Sequence, residues 1–188
     1  SDVCSSDLVL TIIDDREHLV RVAEGADPVD VRTLPGRGET QAASDGSTVF
    51  TSVYRTGKKE STITAIDAVT GDVVGRRTFQ RYAYVVDGTS EFALVSLARG
   101  SRTAEWTIGG GAREISDQQA YFADLTTNTM AVFTGDPYSG GCTRVVPVDR
   151  PGRTVWRSCD AAVISSAPGG RLATIYILSD GLGPGELT

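Results

Sequence analysis

The sequence predicts an all-β chain built from successive four-stranded antiparallel units, and three observations lead there. Short runs rich in Val, Ile, Thr and aromatic residues recur along the chain, separated by Gly, Asp and Pro turns. No segment sustains a 3.6-residue apolar period between caps, so helix content is expected to be very low. Turn landmarks at Asp45, Asp87, Asp124 and Pro168 return about every 40 residues, the span of one four-strand unit.

Residues 44–78 hold the best-formed unit. Ser44-Asp45-Gly46 makes a turn, residues 48–54 an apolar-rich strand, and Thr56-Gly57-Lys58-Lys59 a polar loop. A strand at 61–67, the Val69-Thr70-Gly71-Asp72 turn and a strand at 73–78 complete it. Upstream, 9–13 and 19–23 are β-rich runs around Asp14-Asp15-Arg16-Glu17-His18, which suits a hairpin. A helix over 15–23 is the rival; Ile12-Ile13, Val20 and Val22 favour strand. Pro28 and Pro35-Gly36-Arg37-Gly38 mark a loop-rich stretch with one short strand at 29–33.

Downstream, the second copy has strands at 82–86, 92–98, 103–108 and 112–115, with turns at Asp87-Gly88 and Gly109-Gly110-Gly111. The third has 120–123, a turn at 124–128, and 129–134. A loop at 135–141 then leads to 142–147 and 154–159. The fourth has 162–166, a turn at Pro168-Gly169-Gly170, and 172–178, before a Gly/Pro-rich loop at 181–188. A small twisted sheet cannot bury both faces alone, whereas sheets stacked around an axis can. The expected architecture is therefore a partial β-propeller, about four four-stranded antiparallel blades in an open arc. The blades span roughly 9–40 (partial), 41–80, 81–117, 118–160 and 161–188 (partial). Closed rings of this kind take six to eight blades, on the order of 250 residues or more, and this chain has 188. A compact four-bladed closure is the alternative.

The runs Ala43-Ser44-Asp45-Gly46-Ser47-Thr48-Val49-Phe50 and Ala167-Pro168-Gly169-Gly170-Arg171-Leu172-Ala173 resemble the S-P-D-G-x-x-[LIV]-A turn of TolB-like and WD40-like β-propellers. Ile66-Asp67-Ala68-Val69-Thr70-Gly71 resembles the D-x-x-T-G turn that joins a blade's last two strands in those families. The resemblance covers roughly 41–178. It departs from true WD40 blades in lacking their Trp-Asp dipeptide, since Trp106 is followed by Thr107. What it implies is a non-enzymatic binding or interaction module. The alternative it leaves open is the regulatory propeller of a prolyl-oligopeptidase-like serine hydrolase whose catalytic domain lies elsewhere. A quinoprotein-like propeller is a weaker reading, because its tryptophan docking repeats are missing.

A net charge of −6 argues against nonspecific nucleic-acid binding and against docking on an anionic membrane. Lys58-Lys59 and Arg76-Arg77 are the compact basic runs, and both read as solvated strand ends. No apolar run approaches the ~18–20 residues of a membrane span. The expected partner is a protein or a small ligand, with no nucleic acid, no membrane span and no cofactor. Scarce lysine and a single asparagine, Asn128, reflect GC-rich coding. Residues 1–8, Ser1-Asp2-Val3-Cys4-Ser5-Ser6-Asp7-Leu8, are similar to a translated sequencing adapter and are read as a non-native segment, so that the natural chain starts near Val9 and was cut from a longer frame. A natural N-terminal tail is the other reading.

With Cys4 set aside, Cys142 and Cys159 remain. A hairpin centred on Asp149-Arg150-Pro151-Gly152 opposes Val148 to Arg153, Val146 to Val155, and so Cys142 to Cys159. Opposed cysteines reach the ~5.5 Å Cα separation that a disulfide needs. The same register opposes Arg144 to Arg157, which mildly disfavours it. A disulfide favours an extracytoplasmic or cell-envelope location in a bacterium; two buried thiols are the alternative. His18 reads as a solvent-exposed turn residue, and no G-x-S-x-G, zinc spacing, Walker loop or dinucleotide fingerprint is present. Asp14-Asp15-Glu17 lacks calcium-loop spacing, and Gly181-Leu182-Gly183-Pro184-Gly185 reads as a loop. No catalytic, cofactor-binding or metal-ligating residue is assigned. The candidate binding loop is 135–141 with Asp136 and Tyr138, because long loops on a rigid scaffold carry contacts; a plain connection beside the disulfide is its rival. Trp106 and Trp156 lie within strands and are expected in the core between sheets.

Overall fold

The computed structural model describes residues 6–13, 16–23, 27–34, 38–98 and 101–178. Among them are seventeen strands and two single-turn 3-10 segments, and every strand pair is antiparallel between sequence neighbours. β1 (Ser6–Ile13), β2 (Arg16–Ala23) and β3 (Val29–Thr33) form the first sheet. The second contains β4 (Glu39–Ala42), β5 (Thr48–Arg55), β6 (Glu60–Asp67) and β7 (Val73–Phe79). The third contains β8 (Ala83–Gly88), β9 (Phe92–Leu97), β10 (Arg102–Thr107) and β11 (Ala112–Ser116). The fourth is β12 (Gln119–Asp124), β13 (Thr129–Phe133), β14 (Thr143–Pro147) and β15 (Trp156–Ser158). β16 (Ala161–Ala167) and β17 (Arg171–Tyr176) pair as a fifth.

The all-β, four-stranded expectation therefore holds for the second, third and fourth sheets. The rival helix over 15–23 is absent: β2 pairs with β1 along its length and with β3 through His18↔Thr33 and Leu19↔Arg32. β1 begins at Ser6, so the pairs Ser6↔Ala23, Asp7↔Val22 and Leu8↔Arg21 extend over the end of the segment read as non-native.

Each interior sheet buries both faces, because its central strands are apolar on both sides. Val49 and Ile66 of the second sheet pack with Leu19 of the first and with Leu34. Phe50, Ile63 and Ala65, on the opposite face, meet Ala83, Val85, Ala93, Val95 and Trp106 of the third. Leu94 and Val86 point the other way, onto Ala120, Met130, Val132 and Val146 of the fourth. Ala131 and Val145 then meet Val163 of the fifth. Four apolar cores thus alternate with five sheets. β8, β12 and β16 each carry a β-bulge, at Val85/Asp87, Ala120/Phe122 and Val163/Ser165. A bulge bends its strand and sharpens the local twist.

Polar ties fix how adjacent sheets sit. At one end, a buried hydroxyl on the third strand accepts from the first strand of the next sheet. Ser61 Oγ accepts from Ala83 N at 2.8 Å, and Thr103 Oγ1 accepts from Ala120 N at 2.8 Å. At the next interface Thr143 Oγ1 bonds Tyr121 Oη at 3.0 Å, and that oxygen accepts from Val163 N at 2.9 Å. At the other end, buried Asp87 accepts from Ser44 N (2.9 Å) and Gly88 N (2.7 Å) on Oδ1, and from Leu125 N (2.8 Å) on Oδ2. Asp124 continues the row by accepting from Ser166 Oγ.

Asp87-Gly88 is therefore not a turn, as its sequence suggests, but the end of β8. A Cβ on Gly88 would lie 2.5 Å from the Phe50 ring, so glycine is required for the packing between the second and third sheets. The turn itself is made by Thr89, whose Oγ1 accepts from Glu91 N and Phe92 N at 3.1 and 3.3 Å. Asp45 does the same job one unit earlier, accepting from Ser47 N at 2.9 Å, and Asp124 one unit later, accepting from Thr126 N at 2.9 Å.

Asp87→Ala removes a buried acceptor shared by amides of three sheets, so a loss of about 3 kcal/mol or more is expected in urea denaturation, against about 1 kcal/mol or less for Asp45→Ala in its exposed turn. A second expectation concerns acid. Burial alone would raise the Asp124 carboxyl, but hydrogen bonds from Ser166, Thr126 and Thr127 hold it below the ordinary value. A depressed carboxylate stabilises the fold above its unfolded pKa and loses that contribution as pH falls through the folded one. Denaturation midpoints measured from pH 6 down to pH 2 should fall less steeply below about pH 4 in Asp124→Asn than in the parent chain.

Candidate functional site

The loop 135–141 joins β13 to β14. Its base is closed by Thr134 N donating to Cys142 O (2.9 Å) and by Cys142 N donating to Thr134 Oγ1 (2.9 Å). Asp136 caps the 3-10 turn Pro137–Ser139, accepting from Tyr138 N at 3.0 Å and from Ser139 Oγ at 3.2 Å. Pro137 suits the first position of such a turn because it has no amide to satisfy. The Asp136 carboxylate is thus engaged within the loop, while Tyr138 is 78% exposed.

Beside this loop, β14 and β15 pair in the expected register, Thr143↔Ser158, Arg144↔Arg157 and Val145↔Trp156. The next pair outward is Cys142 and Cys159, which are disulfide-bonded with a Cα separation of 4.1 Å. The opposed arginines are drawn to different partners. Arg144 donates to Thr154 Oγ1 and Gln118 Oε1, both at 2.9 Å, and Arg157 reaches the Cys142 sulfur at 3.6 Å.

A cleft of about 730 Å³ opens between the third and fourth sheets at the opposite end, where β12 turns into β13 and β14 into β15. Phe92, Ile115, Leu125 and Val148 line it and continue the core between those sheets; Pro151 also lines it. On one side stands Arg113 of β11, paired across the strand with Glu105 of β10 in a two-pronged bond, Nε to Oε1 at 3.0 Å and Nη2 to Oε2 at 3.2 Å. That pairing raises the Arg113 guanidinium above its ordinary value. Glu114, on the same wall, pairs with Arg102 instead.

The other side is organised by Asn128. It occupies the left-handed region (φ 53°), which asparagine tolerates better than most residues. Its amide donates to Asp149 Oδ1 at 2.8 Å and accepts from Asp149 N at 3.2 Å, clipping the two turns together. The Asn128 bond holds the Asp149 carboxyl below the usual range against the opposing effect of desolvation, and Arg150 adds to the lowering. An apolar floor between an arginine on one wall and a fixed carboxylate on the other is equipped to hold a ligand by contact and charge.

The other residues singled out in the sequence are placed as follows. His18 is not an exposed turn residue. It lies on β2, its side chain is 12% exposed, and Nδ1 bonds Asp30 Oδ2 at 2.7 Å. Trp106 is buried between the second and third sheets, and Trp156 packs on the core between the fourth and fifth. Asp14, Asp15 and 181–185 lie outside the described residues. Among the described residues no group of three or more His, Cys, Asp or Glu could hold a metal, and no helix is long and apolar enough to cross a membrane.

Sequence reasoning missed the cleft and its wall residues. Two signals pointed there. Glu105 and Arg113 stand symmetrically about Gly109, the first residue of the triple-glycine turn, and the sole asparagine, Asn128, falls in a turn that needs a left-handed residue. Comparison with known proteins returned no matching family model and no matching curated protein.

The disulfide closes a chain segment of sequence separation 17. By the loop-entropy relation its removal in Cys142→Ala/Cys159→Ala costs about 3 kcal/mol. Guanidinium denaturation of the double variant, and of the parent with and without reductant, should give matching losses. Unchanged midpoints on reduction would show that the bond contributes nothing.

Proposed function

We propose that this chain is a non-enzymatic binding module, an open arc of TolB-like or WD40-like β-propeller blades that works outside the cytoplasm of a bacterium. The observation that carries the architecture is where the sheets touch. β4, β5 and β6 contact β8; β8, β9 and β10 contact β12; and β12 and β14 contact β16. In the third, fourth and fifth sheets the first strand is the one the preceding sheet meets, as expected of blades that converge on an axis. The Asp45 and Asp67 turns support the family resemblance. Asp67 Oδ1 accepts from Val69 N and Thr70 N at 2.8 and 2.7 Å, the geometry that a D-x-x-T-G turn requires. The Cys142–Cys159 bond supports an oxidising compartment.

Binding rather than turnover is the better reading because the cleft joins an apolar floor to fixed charges. It has no nucleophile paired with a base among the residues that line it. The rigid sheets on both sides hold its walls, so a ligand meets a preformed surface.

The test is amide chemical-shift mapping of the folded chain against a panel of short peptides and small solutes, with Arg113→Ala as the cleft variant. At least one ligand is expected to shift 92, 113–115, 125–128 and 148–149, to bind more weakly to Arg113→Ala, and to be recovered chemically unchanged. Conversion of any panel member would overturn the non-enzymatic reading, and a panel without a cleft ligand would remove the cleft as its site.

A further inference from the structure

Tyr54 of the second sheet and Tyr82, at the entry to the third, stand beside one carboxylate at the end of the second sheet remote from the Asp45 turn. The Tyr54 ring, near the end of β5, stands at 80° to the Tyr82 ring with centroids 5.2 Å apart. Tyr84 lies beyond it, 5.9 Å from Tyr82 at 52°. Tyr82 Oη donates to Glu39 Oε1, at the start of β4. A recess of about 330 Å³ is lined by Glu39, Tyr54 and Tyr82, with Gly38, Ser52 and Ala83 completing it.

Glu39 is the one ionised side chain among the described residues lining this recess. The bond to Glu39, partial burial and the carboxylate's own charge push the Tyr82 phenol up to about 12, so it is a neutral donor across the physiological range. Among the described residues no lysine or arginine pairs with Glu39. That carboxylate carries the one formal charge among the described residues that line the recess. Aromatic faces add negative potential from the ring quadrupole, and two rings near a right angle form a corner in which a cation can touch both. The same attraction operates nearby within the chain, where the Arg77 guanidinium lies 5.6 Å from the Phe79 centroid.

We propose that this recess is a binding site for a small organic cation of the quaternary- or alkylammonium class, held by the Tyr54 and Tyr82 rings and the charge of Glu39. A hard metal ion fits it poorly, since one carboxylate supplies too few of the six to eight oxygens that calcium takes. An onium ion needs no such shell; it is weakly hydrated and gains from the aromatic walls. The site rests on β4, β5 and the entry to β8, so it stands or falls independently of the cleft and of the arc.

The experiment titrates choline and tetramethylammonium chloride into the folded chain at constant ionic strength, read by amide shifts. The uncharged choline isostere 3,3-dimethylbutan-1-ol is the control. Saturable shifts are expected at 38–39, 52–54 and 82–84 for both cations, with the isostere binding about tenfold or more weakly. Glu39→Gln and Tyr54→Leu, which keep size and apolar bulk, should each weaken choline binding by about tenfold, and Asp45→Asn in the exposed turn at the remote end should leave it unchanged. No saturable binding at millimolar cation, equal binding of the isostere, or a Glu39→Gln variant that binds choline as the parent does would each overturn the proposal. The isostere comparison uses the parent chain alone, so it decides the matter even if a variant fails to fold.

Discussion

The buried carboxylate of Asp87 is the interaction on which the arrangement of the sheets depends. An isolated charge so placed would cost several kcal/mol, and it is tolerated only when hydrogen-bond donors surround it. Here the donors are backbone amides of three successive sheets, Ser44 from the second, Gly88 from the third and Leu125 from the fourth. Because those amides are fixed in their strands and turns, satisfying the carboxylate sets the spacing of all three sheets at that end. The buried hydroxyls of Ser61, Thr103 and Thr143 do the same at the other end.

These ties matter because apolar contact alone is non-directional. Faces lined by Ala, Val and Ile could slide past one another with little change in buried area, whereas a hydrogen bond to a buried oxygen has one geometry. Large side chains then lock the remaining freedom. Phe50 sits against Gly88, where no side chain could stand, and Trp106 is fully buried in the same core. The result is a stack in which each sheet supports the next.

Such a frame explains where the chemistry lies. The strands repeat because every interface has the same task, but the ends of the units are free to differ. Asn128 and Asp149 clip turns in the fourth sheet, and the Glu39, Tyr54 and Tyr82 corner forms between the second and third. Both features use residues from different strands or sheets, so neither exists within any single run of sequence. The loop 135–141 is the opposite case. It is continuous and conspicuous in the sequence, yet its carboxylate serves the loop's own turn, and Tyr138 is its exposed aromatic side chain.

Local chemistry made much of this protein legible in its sequence. Period-two apolar runs and turn residues located nearly every strand, and counting outward from Asp149-Arg150-Pro151-Gly152 paired Cys142 with Cys159, because hairpin register is a local property. The same local reading misjudged Asp87-Gly88, a dipeptide that ordinarily makes a turn, and placed His18 in solvent rather than against Asp30. In both cases the deciding partner lies on another strand: the amides of Ser44 and Leu125 for Asp87, and β3 for His18. The sequence by itself determined strand content, most turns and the disulfide. Tertiary structure alone decided which polar residues are buried braces and which line a recess, because hydrogen-bond satisfaction and charge isolation depend on neighbours that chain order does not reveal.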